Sequence, residues 1–221
     1  PLGAESSFNA GLYAKALLEM MDICETLGDT KSVKMYKGWY EDIKKAFNDA
    51  AWDGKWWIRW FDKEGNAYGT HKAKYGKIYC NSQSWSVMSG IAYGERAVMG
   101  MDSLNKLLNT ANGVKSSTPG YRGFDGRVGG ISTYPPGAKE NGGIFLHTNP
   151  WVMIAETILG RGDKAFQYYN QINPASKNAK LDEFESEPYC YPQNILGDEH
   201  KQFGMGRNAW LSGTSSWTYQ A

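Results

Sequence analysis

Apolar positions in the first fifty residues recur at spacings of three and four. Phe8, Leu12, Ala16, Met20, Ile23 and Leu27 align along one face of a helix predicted over 5–28, which Gly28 ends. Asp29 and Thr30 cap a second helix, with Val33, Tyr36, Tyr40, Ile43 and Phe47 on one face. From Trp52 to Gly69 the period changes to an aromatic run at Trp56, Trp57 and Trp60, followed by the turn chemistry of Asp62 to Asn66. A short hairpin inserted between helices is predicted there. Helical spacing returns over 84–93 and, past Gly94, over 95–111. A glycine-rich stretch of about 35 residues follows, too long to be idle in a compact domain. Helices resume over 148–159, with Trp151, Ile154, Ala155 and Ile158 aligned, and over 163–172. A loop over 173–187 leads to 189–196, and a last helix begins near Gly213.

These elements form helix pairs with short turns at one end and long polar loops at the other. Paired helices that close into a toroid gather such loops on one rim. The predicted class is therefore all-α, a portion of an (α/α)₆ barrel with a small β-hairpin insert. Roughly seven helices stand against the roughly twelve of a closed double ring, so the chain is expected to be the C-terminal part of such a barrel.

Composition narrows the function. The 221 residues carry 24 Lys+Arg and 23 Asp+Glu, with no basic stripe to meet nucleic acid or an anionic membrane. No apolar run approaches the ~20 residues of a membrane span. Cys24, Cys80 and Cys190 are odd in number and lack metal-like spacing, as expected of reduced thiols in a cytoplasmic protein. No metal site, Walker loop, dinucleotide fingerprint or nucleophile elbow is visible, and no cofactor is expected. The nine Trp and 14 Tyr point to sugars, because flat rings with a polar edge stack on sugar faces and bond hydroxyls.

The densest chemistry lies between Ser132 and Trp151, where a Pro-Pro-Gly turn, a Lys-Glu pair and a Gly-Gly break precede His147. His147 stands before Thr148-Asn149-Pro150, a helix start at which an imidazole can donate to an anion; a purely structural histidine is the plainer reading. Ser212, Gly213 and Thr214 precede the last helix, where backbone NH groups and hydroxyls cradle an oxyanion or simply cap the helix. Together they suggest a two-sided anion clamp. Tyr134, Lys139 and Glu140 suit sugar hydroxyls, and a buried Lys139–Glu140 pair would fix both charges. Glu187 to Gln193 forms another rigid loop, with a carboxylate and an amide at its ends.

At these residues the chain resembles the inverting β-glucoside phosphorylases of glycoside hydrolase family 94, the cellobiose and cellodextrin phosphorylase group. The resemblance is carried by SQSW at 82–85, YPPGAKENGG at 134–143, HTNPW at 147–151, YYNQINP at 168–174, EPY at 187–189 and WLSGTSSW at 210–217. It implies an (α/α)₆ catalytic domain, normally preceded by a β-sandwich and a helical linker, and often dimeric. It implies phosphate binding by His147, Ser212, Gly213 and Thr214. Acceptor binding would fall to Tyr134, Lys139 and Glu140, and donor-glucose contact to Gln193. Its partners would be a β-linked gluco-oligosaccharide, inorganic phosphate as co-substrate, and glucose 1-phosphate, with a homodimer as the complete enzyme. The general-acid Asp of such enzymes precedes the segment matching Gly3 to Ser6, so this stretch alone is expected to be inactive. Two rival readings stay open: an inverting hydrolase with Glu140 or Glu187 as base, and a non-catalytic carbohydrate-binding piece. The 113–130 loop and residues 194–200 incline the expectation toward the cellodextrin-like branch.

Overall fold

A computed structural model describes residues 3–221. Helix α1 (Ser7–Thr26) is capped by Ser6, whose hydroxyl accepts from the Asn9 NH at 3.3 Å. It stops at Gly28, whose φ of +74° suits a residue without a Cβ. Helix α2 (Thr30–Ala50) starts on Asp29, which accepts from the Ser32 NH at 3.1 Å. Its inward stripe is the expected one, with Tyr40 and Phe47 buried and Tyr36 and Ile43 packed beside them.

The stripe expected on α1 is not the buried one. Leu12, Ala16, Met20, Ile23 and Leu27 are exposed, whereas Ser7, Gly11, Ala14, Leu17 and Cys24 face inward. The cause is close approach. A Cβ at Gly11 would lie 3.1 Å from the backbone of Trp85, so the small-residue face, not the most apolar one, meets the neighbouring helix.

The hairpin forms as expected from Trp60–Phe61 and Ala67–Tyr68, with Glu5–Ser6 added as a third antiparallel strand. Helices α3 (Cys80–Met88) and α4 (Gly94–Leu108) follow. Then come α5 (Thr148–Ile158), α6 (Gly162–Ile172), the single turn α7 (Leu181–Phe184) and α8 (Thr214–Gln220). The loop expected over 173–187 is partly helical. Asn173 accepts from the Ala175 NH at 3.0 Å and Pro174 takes the first position of a 3₁₀ turn, Pro174–Lys180. Among the described residues no helix is long and apolar enough to cross a membrane.

The helices pack in pairs, α1 with α2, α3 with α4 and α5 with α6. One member of each pair, joined by α8, meets in an aromatic centre. Ring centroids lie 5.7 Å apart for Phe8–Trp85, 5.2 Å for Trp85–Trp151 and 5.7 Å for Trp151–Trp217. Helix α3 is buried on every side despite its serines. Its Gln83 is satisfied by the Trp57 backbone, accepting from the NH at 3.0 Å and donating to the carbonyl at 2.7 Å.

A three-stranded antiparallel sheet closes the loop side, formed by Ile144–Phe145, Pro192–Ile195 and Gly206–Ala209. Its register sets Phe145, Asn194 and Arg207 abreast on one face. Ile144 and Ile195 share the other face, where they join Leu146 and Phe184 in a small second core.

Candidate functional site

The 134–143 segment is fixed by its own hydrogen bonds. The buried Asn141 amide donates to the carbonyls of Tyr121 at 2.9 Å and Tyr134 at 2.7 Å, and its oxygen accepts from the Tyr121 NH at 2.7 Å. Gly137 has φ +81°, and a Cβ there would lie 2.7 Å from the His200 nitrogen, so only glycine fits. Lys139 also takes a left-handed backbone, with φ +48°, and carries its ammonium to 5.3 Å from the Tyr134 ring centroid.

Tyr134 and Lys139 thus meet in a cleft of 320 Å³, whose other walls include Asn194, His200, Gln202 and Arg207. Glu140 is not among them. Its side chain is exposed, and its carbonyl accepts from the hydroxyls of Ser116 at 3.0 Å and Ser117 at 3.1 Å. The buried Lys139–Glu140 pair expected from sequence does not form, because the turn sends the two neighbouring side chains to different surroundings. Gln193 faces away from Asn194 by the alternation of the strand, so its side chain lies outside the Tyr134–Lys139 cleft. Its carbonyl accepts from the Leu146 NH at 3.0 Å, which places it beside the start of α5.

His147 occupies the position just before α5. Its ring packs edge-on to Phe145 at 4.6 Å and Trp151 at 5.0 Å. Burial pushes the imidazole below its ordinary range, and no carboxylate among the described residues pairs with it. Trp217 of α8 packs on Trp151, and Thr218 and Ala221 line a cleft with Met153 and Thr157, so α8 packs against α5. Ser212 and Thr214 share a short hydroxyl–hydroxyl contact, and Ser212 also accepts from the Thr214 NH at 3.1 Å. Gly213 is exposed with open space where a Cβ would be, and it offers α8 no side-chain cap. The first-turn NH groups of Ser215 and Ser216 are left for an outside acceptor.

The structure therefore joins Tyr134 with Lys139 in one cleft, and it packs α5, which His147 precedes, against α8, which Ser212 and Gly213 precede. Glu187, the other carboxylate considered as a base, accepts from the Trp210 indole NH. Arg207 was not anticipated, and Asn194 and His200 entered only as the ends of the 194–200 segment, with no role assigned to either. Alternation along 192–195 could have flagged Asn194, but Arg207 joins the cleft only through strand register, which a single sequence does not reveal. Among the described residues no three His, Cys, Asp or Glu side chains converge as a metal site would require.

Residues 2–221 match the profile of the Glycosyl hydrolase 94 superfamily, catalytic domain. The chain is 36% identical over 221 residues to the N,N'-diacetylchitobiose phosphorylase of Vibrio proteolyticus, covering 99% of this chain and 28% of that protein. It is 34% identical over 179 residues to the solabiose phosphorylase of Paenibacillus borealis, covering 81% of this chain and 23% of that protein. It thus spans about a quarter of the length of these relatives. Among solved structures a wild-type glycosidase superposes with a TM-score of 0.58 at 12% identity, over 97% of this chain and 46% of that one. That likeness concerns the helical barrel fold alone.

Proposed function

The chain belongs to the Glycosyl hydrolase 94 superfamily, and from that premise we propose that it contributes the phosphate and acceptor surfaces of a reversible, inverting β-glucoside phosphorylase. The reaction would convert a cellobiose- or cellodextrin-type substrate and phosphate into α-glucose 1-phosphate and a shortened acceptor. Relatives named as disaccharide phosphorylases support the class. The glucosyl character of the donor rests on the sequence resemblance to the β-glucoside phosphorylases, in which Gln193 would contact the donor sugar.

The observation that carries this reading is the packing of two helix starts with oxyanion-binding chemistry, His147 before α5 and Ser212–Gly213 before α8, on helices that pack together. Inverting hydrolysis requires a base to activate water on the face opposite the leaving group. Phosphate is already a nucleophile and needs only positioning. His147, with its unpaired imidazole at the start of α5, and the Ser212–Thr214 turn, with open NH groups at the start of α8, suit an oxyanion. A carboxylate between them would repel phosphate. In this reading His147, Ser212, Gly213 and Thr214 hold phosphate against the anomeric carbon, while Tyr134 and Lys139 hold the acceptor sugar. Glu140 would reach acceptor hydroxyls from the rim, and Gln193 would bond the donor sugar. A general acid from the rest of the enzyme would protonate the departing oxygen.

Turnover of a β-linked glucose disaccharide by the full-length enzyme, with and without phosphate, tests the proposal. The expected result is phosphate-dependent release of α-glucose 1-phosphate. Equal cleavage without phosphate, yielding free glucose, would establish a hydrolase instead.

A further inference from the structure

A second cleft, of 350 Å³, opens on the other side of the 129–134 turn from the Tyr134–Lys139 cleft. Three tyrosines from separate segments converge there. Tyr68 comes from the hairpin and stacks its inner face on Trp60 at 4.7 Å with an interplanar angle of 6°. Tyr75 comes from the loop before α3 and Tyr121 from the glycine-rich stretch, and their rings lie 6.2 Å apart. Lys72 and the ion-paired Asp125 and Arg127 stand on the rim, with the two charges 2.8 Å apart.

Resting on the function proposed above, we propose that this cleft is a further sugar subsite, which takes the next glucose unit of an acceptor longer than one sugar. A shared scaffold with the first cleft is the leading argument. The same Asn141 nitrogen bonds the carbonyls of Tyr121 and Tyr134, so the wall of one cleft and the wall of the other hang from a single buried amide. The Asp125 NH also donates to the Ser132 hydroxyl at 2.9 Å, which anchors the intervening turn to the new cleft. The lining chemistry is the second argument. Aromatic faces with polar groups at their edges suit the mixed apolar and hydroxyl surface of a sugar. The hydroxyls of Tyr68 and Tyr121 are already spent, on Asp62 at 3.0 Å and Tyr79 at 2.9 Å. Tyr68 is therefore a fixed platform and the buried Tyr121 a brace behind the cleft, while Tyr75, held by the Lys74 ammonium 5.2 Å from its ring, has its hydroxyl open to a ligand.

The test is binding of β-linked gluco-oligosaccharides of increasing length to the chain and to its Tyr75→Ala and Tyr75→Phe variants, followed by calorimetry. Affinity should rise roughly tenfold when one sugar is added beyond the disaccharide, the equivalent of about 1.4 kcal/mol. Tyr75→Ala should abolish that rise and leave disaccharide affinity within about twofold, whereas Tyr75→Phe should keep most of it. Disaccharide binding with no gain on lengthening, or a gain that survives Tyr75→Ala, overturns the subsite and leaves the proposed function standing. Failure to bind any length, alongside an intact phosphate response at His147, overturns the gluco-oligosaccharide reading and the subsite with it.

Discussion

The two ends of α5 both carry half-buried or buried titratable groups, and they treat them in opposite ways. At its C-terminal end Glu156 is fully buried and meets the Arg161 guanidinium at 2.5 Å. Arg161 reaches on to Asp102 at 2.5 Å, which Lys164 joins at 3.1 Å. Burial pushes the Glu156 carboxyl upward while Arg161 pulls it down. At the N-terminal end His147 has aromatic neighbours and no charged partner. Lys139 and Arg207 likewise have no carboxylate partner within salt-bridge distance among the described residues. Paired charge fastens short helix connections, whereas charge left unpaired beside open NH groups is available to a ligand.

The sharpest way to break this comparison is to remove one partner at the paired end. Arg161→Ala leaves the Glu156 carboxylate buried without its cation and should cost about 3–5 kcal/mol in stability by urea denaturation. A loss below about 1 kcal/mol would show that the network is ornamental. Replacing both Glu156 and Arg161 by methionine should recover most of the loss.

At the unpaired end the effect should fall on ligand use and not on folding. In the full-length enzyme His147→Ala should raise the phosphate KM roughly 10- to 100-fold, the equivalent of about 1.5–3 kcal/mol for a hydrogen bond to a charged group. The sugar KM should change little. Equal losses in both constants would argue for a packing role, in line with the contacts of His147 to Phe145 and Trp151.

The smallest effect is the pH dependence of stability. Because burial lowers the His147 pKa in the folded chain, the unfolded chain takes up its proton first as pH falls. This group's contribution is therefore neutral above about pH 6.5 and becomes unfavourable below it. The loss between pH 7.5 and 5.5 should be smaller in His147→Gln than in the parent, by less than about 1 kcal/mol. Identical pH profiles would mean that the imidazole titrates freely in the folded chain.

Much of the fold could be read from the sequence because local signals agreed with packing. Asp29 and Gly28 fixed the break between α1 and α2, and the aromatic run after Trp52 gave the hairpin. The buried face of α1 could not be read that way. Hydropathy favoured Leu12 and Ile23, whereas the decisive quantity was how closely Gly11 could approach Trp85. The candidate site shows the same divide. His147 and Ser212–Thr214 stood out as helix starts, a local feature. The partnership of Lys139 with Tyr134, and the entry of Arg207 into their cleft, depend on a left-handed backbone and on strand register. Those arise from long-range pairing and are invisible to periodicity.

In the proposed function the starts of α5 and α8 form one phosphate clamp. Its most direct test is a phosphate titration of the chain followed by NMR at the His147 imidazole and at the Ser215 and Ser216 amides. The account predicts saturable shifts at all three with a common affinity, a rise in the His147 pKa as phosphate binds, and loss of the amide response in His147→Ala. Shifts at His147 that leave the two amides unmoved, or no saturable response at any of them, would contradict it.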